Sequence, residues 1–133
     1  MSLKKKRPLK EWVFSLRETM RLNLSFIILV EGKNDKKALK SFGIDEDRIY
    51  TLSGTSFYDL AEKLEPLNKV VIMLMDLDKK GEDIFQKLIK IFDIYKIEYD
   101  TSFRDALKRY KVKYIEKLPK LLFLENMKNL NKN

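Results

Sequence analysis

Apolar residues fall along this chain in two rhythms. Leu9, Trp12, Val13, Leu16 and Met20 recur three or four apart, the spacing that puts them on one face of a helix, so residues 9–22 are expected to form an amphipathic helix. Phe26 to Val30 and Val70 to Met75 are instead unbroken apolar runs, as strands covered on both faces require. Asn34 is expected to cap the helix between them, with Ala38, Leu39 and Phe42 inward and Gly43 at its end. "RIYTLSG" reads as a second strand closed by Gly54, and residues 56–65 as a short helix stopped at Pro66. Lys69 to Met75 is the third strand. Residues 81–95 form the third helix, with Ile84, Leu88, Ile91 and Phe92 or Tyr95 on one face. "KIEYD" suggests a brief fourth strand. Further on, "FRDALKRY" suggests a short helix, "KVKYI" an edge strand, and residues 119–130 a final helix started by Pro119.

Strand and helix alternate through residues 25–100, which predicts an α/β fold with a mostly parallel central sheet of about four strands and helices on both faces. With 133 residues the expectation is one domain. Its core would lie at about 25–100, with a basic tail and helix over 1–24 and a basic C-terminal extension over 101–133.

Composition removes much of enzyme chemistry. The chain has no Cys and no His, which excludes disulfides, Cys/His zinc sites, thiol nucleophiles and the Ser-His-Asp triad. Any catalysis has to run on carboxylates, lysines, hydroxyls and a hard metal. No apolar run approaches the roughly 20 residues of a membrane span and no signal-peptide pattern opens the chain, so a cytoplasmic protein with no membrane association is expected. The net charge of +8 is unevenly spread. Residues 1–10 carry Lys4, Lys5, Lys6, Arg7 and Lys10 without an acid, and residues 104–133 carry nine basic against three acidic side chains. The stretch between them is slightly acidic. Basic ends around an acidic centre suit a polyanionic partner held at its flanks, although charge runs at termini are often simply solvated.

The acidic centre has a pattern. In parallel α/β sheets the functional crevice lies beyond the carboxyl ends of the strands. Glu31 follows the first strand, and Asp76 and Asp78 follow the third. A period of two puts both aspartates on one side, and if the two strands are neighbours, three carboxylates can share one hydrated ion. Oxygen-only ligands point to Mg²⁺, or Mn²⁺ in its place. Gly32 after Glu31 and Gly81 after Asp78 are expected to let the backbone turn tightly and approach a ligand. Lys33 is placed to bind a phosphate as a point charge near the start of the following helix. A lone DxD at a strand end also describes a turn with a helix cap; the second acid–glycine pair on another strand is what favours a site. Asp35 is expected to serve the helix dipole.

These residues carry a resemblance. "LVEGKND" followed by "MLMDLDKKG" resembles the Toprim domain, with a glutamate-glycine after the first strand and DxDxxG after the third. The likeness spans about residues 25–100 and is nearest to OLD-family nucleases and ribosomal-RNA maturases. It implies a Rossmann-like sheet, Mg²⁺ near the aspartate pair, and breakage or joining of phosphodiester bonds. It gives Glu31 the role of general acid or base, and Asp76 and Asp78 that of metal ligands. Topoisomerases need a further domain with a nucleophilic tyrosine, and primases and the recombination proteins of the family need zinc sites that a chain without Cys lacks. A freestanding small Toprim protein is what remains.

The expectation is therefore a Mg²⁺-dependent nuclease acting on DNA or RNA. Glu31 and Lys33 would be catalytic, Asp76, Asp78 and Glu31 would hold the metal, and Lys4, Lys5, Lys6, Arg7 and Arg104 would grip nucleic acid. Two other readings stand beside it. One is a non-catalytic, metal- and nucleic-acid-binding subunit working with a protein partner. The other is an oligomer built through the last helix, where Leu118, Leu121, Leu122, Leu124 and Met127 leave more than one side apolar.

Overall fold

The computed structural model describes residues 7–131. Helix α1 (Leu9–Leu22) leads into strand β1 (Phe26–Val30), then α2 (Lys33–Lys40), β2 (Ile49–Thr51), α3 (Phe57–Leu64), β3 (Val70–Met73), α4 (Lys79–Tyr95), β4 (Tyr99–Asp100), α5 (Ser102–Lys108) and α6 (Leu118–Asn131). The four strands form one sheet in the order β2-β1-β3-β4, and every pairing is parallel. This is the Rossmann-like α/β architecture expected.

The two central strands explain the layers. Along β1, Ile27 and Leu29 face one way while Ile28 and Val30 face the other, and all four are buried. Ile27 and Leu29 join Val71, Met73 and Met75 under α3 and α4, with Leu60, Leu64, Leu88 and Phe92. Ile28 and Val30 join Ile72 and Leu74 under α1, α2 and α5, with Trp12, Leu16, Leu39 and Leu107. Both faces being covered is what lets the strands be apolar throughout.

The regions around the core run close to expectation, with informative exceptions. The inner face of α4 uses Phe85, and Ile84 is only half-buried. Asn34 does not cap α2. The helix begins at Lys33, Gly32 occupies the cap position, and Asp35 reaches back to accept the Gly32 N–H at 3.0 Å, the N3 half of a capping box. The segment "KVKYI" is not an edge strand. Lys111 sits in the left-handed region at φ 57°, which breaks an extended run, and Ile115–Lys117 wind into a 3₁₀ turn. Val112, Ile115 and Leu118 still enter the core, so their apolar character reports burial rather than a strand. The last helix is tied to the first: Glu125 accepts the Leu9 and Lys10 N–H groups at 2.6 and 3.1 Å, which satisfies otherwise orphaned donors at the start of α1.

Candidate metal centre

The strand order sets the location. The chain moves from β1 to β2 on one side and then returns to β3 on the other, so the crevice beyond the carboxyl ends of β1 and β3 is the topological switch point at which such sheets bind ligands. Glu31 leaves β1 there and Asp76 leaves β3 there. The register pairs Leu29 with Met73, and Leu74 N–H still donates to the Leu29 carbonyl at 2.9 Å. Two residues further, the Glu31 side chain takes over: its Oε2 accepts the Asp76 N–H at 2.8 Å. The two acids therefore meet through a peptide group. Asp78 caps α4, its Oδ1 accepting the Gly81 N–H at 2.7 Å. The strand ends before both aspartates, so the helix cap and not the period of two directs Asp78.

Asp76 is held from several directions. Its Oδ1 accepts the Ile115 N–H at 3.0 Å, and the neighbouring Leu77 N–H donates to the Lys113 carbonyl at 2.7 Å. Its own carbonyl lies so close to α4 that a Cβ on Gly81 would stand 2.0 Å from the oxygen and 2.6 Å from the carbonyl carbon. The glycine of DxDxxG is thus required by the close approach of α4 to the Asp76 backbone, rather than to a ligand as anticipated. Gly32 differs. Its backbone is extended at φ −146°, not tightly turned, and a Cβ there would meet only Ser53 Oγ at 3.9 Å. That expectation for Gly32 is corrected.

Electrostatics mark the same place. Burial pushes the Asp76 carboxyl up to about 6, opposed by the Ile115 N–H and reinforced by the charges of Asp35, Glu31 and Asp78. Burial also raises Glu31, the Asp76 N–H works against it, Asp35 and Asp78 add repulsion, and Lys80 offsets a little. Asp35, 7 % exposed, is raised chiefly by burial as well. Four acids thus share one field, and a cation relieves the repulsion among them.

The donor set is made of acids alone. Its chemistry, carboxylate oxygens alone, fits a hard divalent ion. Each acid gives one oxygen to a backbone N–H, which leaves Glu31 Oε1, Asp76 Oδ2 and Asp78 Oδ2 outside those bonds. Among the described residues no group of three or more acids is drawn together as a ready-made metal cage, consistent with their engagement by the backbone.

The remaining candidates divide. Lys33 is exposed at the start of α2. Arg7 is exposed and lies 3.6 Å from Glu11. Lys4, Lys5 and Lys6 lie outside the described residues. Arg104 does not sit on the surface to grip nucleic acid. It is 1 % exposed, and its guanidinium is consumed inside the fold by the carbonyls of Met75 and Asp76 and the carboxylate of Glu82. Its position three residues before Leu107, on the buried side of α5, is the signal that could have placed it. Asp35, Lys80 and the Ile115 N–H also belong to the site's surroundings; the place of Asp35 three residues after Gly32 is the signal that could have found its capping role, but nothing local points to Ile115. No helix among the described residues is long and apolar enough to cross a membrane.

Known proteins resemble this chain. A UPF0292 protein of Thermococcus sibiricus is 37 % identical over 90 residues, 68 % of this chain and 70 % of that protein. One from Methanosarcina barkeri is 30 % identical over 95 residues, 71 % of this chain and 66 % of that protein. The chain therefore spans about two thirds of the length of these relatives. A solved structure of a protein from Aquifex aeolicus superposes with a TM-score of 0.75 at 40 % identity, covering 84 % of this chain and 98 % of that one. The Toprim domain matches residues 26–116, from the first residue of β1 to the residue after Ile115, which donates to Asp76. The stretch that builds and braces the acidic crevice is thus the stretch that makes this chain a member of the Toprim family, whose function is metal-dependent and related to nucleic acid.

Proposed function

We propose that this protein carries out Mg²⁺-dependent phosphodiester chemistry on nucleic acid, as a small Toprim nuclease. The observation that carries this reading is the meeting of Glu31 and Asp76 at the switch point, with Asp78 on the next helix cap and both Glu31 and Asp76 raised by burial and by the charges around them. Asp76 and Asp78, with Glu31, would hold Mg²⁺, or Mn²⁺ in its place, through the oxygens left outside their backbone bonds. Bound there, the ion supplies a Lewis acid for the phosphoryl oxygens and stabilises the leaving oxygen.

The rest falls to side chains. Glu31 is half-buried and its carboxyl is raised, so it holds a proton closer to neutrality than a free glutamate does, which suits a general acid or base. Lys33 meets a phosphate at the mouth of the crevice. The basic residues 4–7 draw in the polyanion from outside. A binding-only subunit is the second reading. The observation in its favour is that every one of the three acids already has a backbone partner, so the cluster also makes sense as structural ties.

Cleavage assays on single- and double-stranded DNA and RNA test the proposal. Turnover with Mg²⁺ or Mn²⁺, lost in EDTA and lost in Glu31→Gln with nucleic-acid binding retained, is the expected result. Binding with no turnover in the native protein under any of these conditions establishes the second reading instead.

A further inference from the structure

Two charged side chains are buried among the described residues, Asp35 and Arg104, and Arg104 is the deeper at 1 % exposed. A helix face that only has to pack does not need an arginine, because taking a guanidinium out of water is costly unless its donors are matched. Here they are matched in a particular way. Nε donates to the Met75 carbonyl at 2.9 Å and Nη2 to the Asp76 carbonyl at 2.8 Å. Nη1 donates to Glu82 at 2.9 Å, and the guanidinium carbon Cζ lies 4.4 Å from the centre of the Phe85 ring. Two arms of one rigid fork thus hold consecutive carbonyls. β4 ends at Asp100, paired with Ile72, so those carbonyls lie beyond the sheet's ladder on that side. Arg104 stands where a longer strand would have stood.

The Asp76 backbone is then fixed at both ends. Glu31 accepts from its N–H, Arg104 donates to its carbonyl, and Gly81 lets α4 press against that same carbonyl. We propose that Arg104 is a positioning residue of the acidic site, aiming the Asp76 carboxylate at a divalent ion that the guanidinium never touches. This rests on the metal-binding reading above and adds to it a residue outside both sequence motifs.

Geometry and charge make opposite forecasts, which gives a clean test. By charge alone, removing a buried cation next to the site should strengthen cation binding. If Arg104 positions Asp76, its removal should weaken it. Mn²⁺ affinity is measured by electron paramagnetic resonance on the full chain, well below the unfolding temperature of each variant. Arg104→Met is expected to lose about 10–100-fold, the usual scale for supporting groups around a metal. Arg104→Lys keeps the charge but has one ammonium in place of a fork, so it is expected to lose affinity too, by less. Leu64→Ala, in the core on the opposite face of the sheet, is expected to lower the melting temperature and leave Mn²⁺ affinity at the native value. Native affinity in Arg104→Met overturns the proposal; should that variant not fold, native affinity in Arg104→Lys does so. No Mn²⁺ binding by the native protein, with its fold intact, overturns the metal-binding reading first and this inference with it.

Discussion

The exits of β1 and β3 each carry an acid followed closely by a glycine, and they use that pair in opposite ways. After β3, Gly81 is a packing necessity, with 2.0 Å between its would-be Cβ and the Asp76 carbonyl oxygen. After β1, Gly32 has room: 3.9 Å to Ser53 Oγ and an extended backbone that any residue adopts. The β3 exit is clamped by Arg104, Ile115 and α4, whereas the β1 exit leaves space beside Gly32. A shared pattern of letters therefore covers one rigid wall and one accessible wall. The accessible wall is the side on which Lys33 is exposed.

Substituting the two glycines is the harshest test of that contrast. Gly81→Ala should destabilise by about 3 kcal/mol or more, since the clash is with backbone that has nowhere to go. Gly32→Ala should stay within about 1 kcal/mol, the cost of a poorer helix cap. Urea denaturation of both variants measures this, and equal losses would erase the distinction between the walls.

Metal binding should sharpen it next. Saturating Mg²⁺ or Mn²⁺ is expected to stabilise the native chain by about 2–3 kcal/mol at a hundredfold excess over Kd, seen as a higher Tm in calorimetry. Asp76→Asn and Asp78→Asn should abolish the gain. Both retain an oxygen to accept the Ile115 or Gly81 N–H, so the fold is kept. A Tm that still rises with metal in both variants places the ligands elsewhere.

A proton should compete with that ion. Asp76 is raised in the folded chain to about 6 from an ordinary 3.8, so between those values the folded state binds more protons than the unfolded one. Metal-free stability is then greatest below pH 4 as far as this group is concerned, and falls as pH climbs towards 6. Because the carboxyl is only half-buried, the loss is discounted to about 1–2 kcal/mol. Asp76→Asn should flatten the part of the profile that belongs to this group, leaving the smaller same-direction contributions of Glu31 and Asp35. A native profile that rises from pH 4 to 6 and does not change in Asp76→Asn contradicts the shift.

The smallest effect belongs to the chain's basic end. If residues 4–7 hold phosphates, the logarithm of affinity for duplex DNA should fall with the logarithm of salt concentration, by about 0.9 per phosphate neutralised. Deleting residues 1–7 should flatten that slope by up to four such steps and leave the metal response of the acidic site unchanged. A slope that does not move removes these residues from the interface.

The contrast also shows what a linear reading of the chain conveys. Period and apolar runs placed all four strands and the acids at their ends, because burial on two faces imposes a pattern on neighbouring residues. The same logic failed at "KVKYI", where Val112 and Ile115 are buried from an irregular loop and apolar character carries no period. It failed again at Arg104, which read as one more cation in a basic extension. Its spacing from Leu107 could have told that it is buried, but the carbonyls it meets lie 28 and 29 residues earlier, and no local pattern encodes partners at that distance. The aspartates were legible; the scaffolding that aims them was not.

The Ile115 N–H on Asp76 has a consequence for how the molecule comes into being. Synthesis proceeds from the N-terminus, and a chain halted near residue 100 already contains Glu31, Gly32, Asp76, Asp78 and Gly81. Yet it lacks Arg104 and Ile115, so the contact between Ile115 and Asp76, 39 residues apart, has to wait until the later residues are made. On the metal-binding reading, a nascent or prematurely released polypeptide would carry both motifs and still be without a braced ion site. The C-terminal quarter of the chain would then be the part that completes the centre.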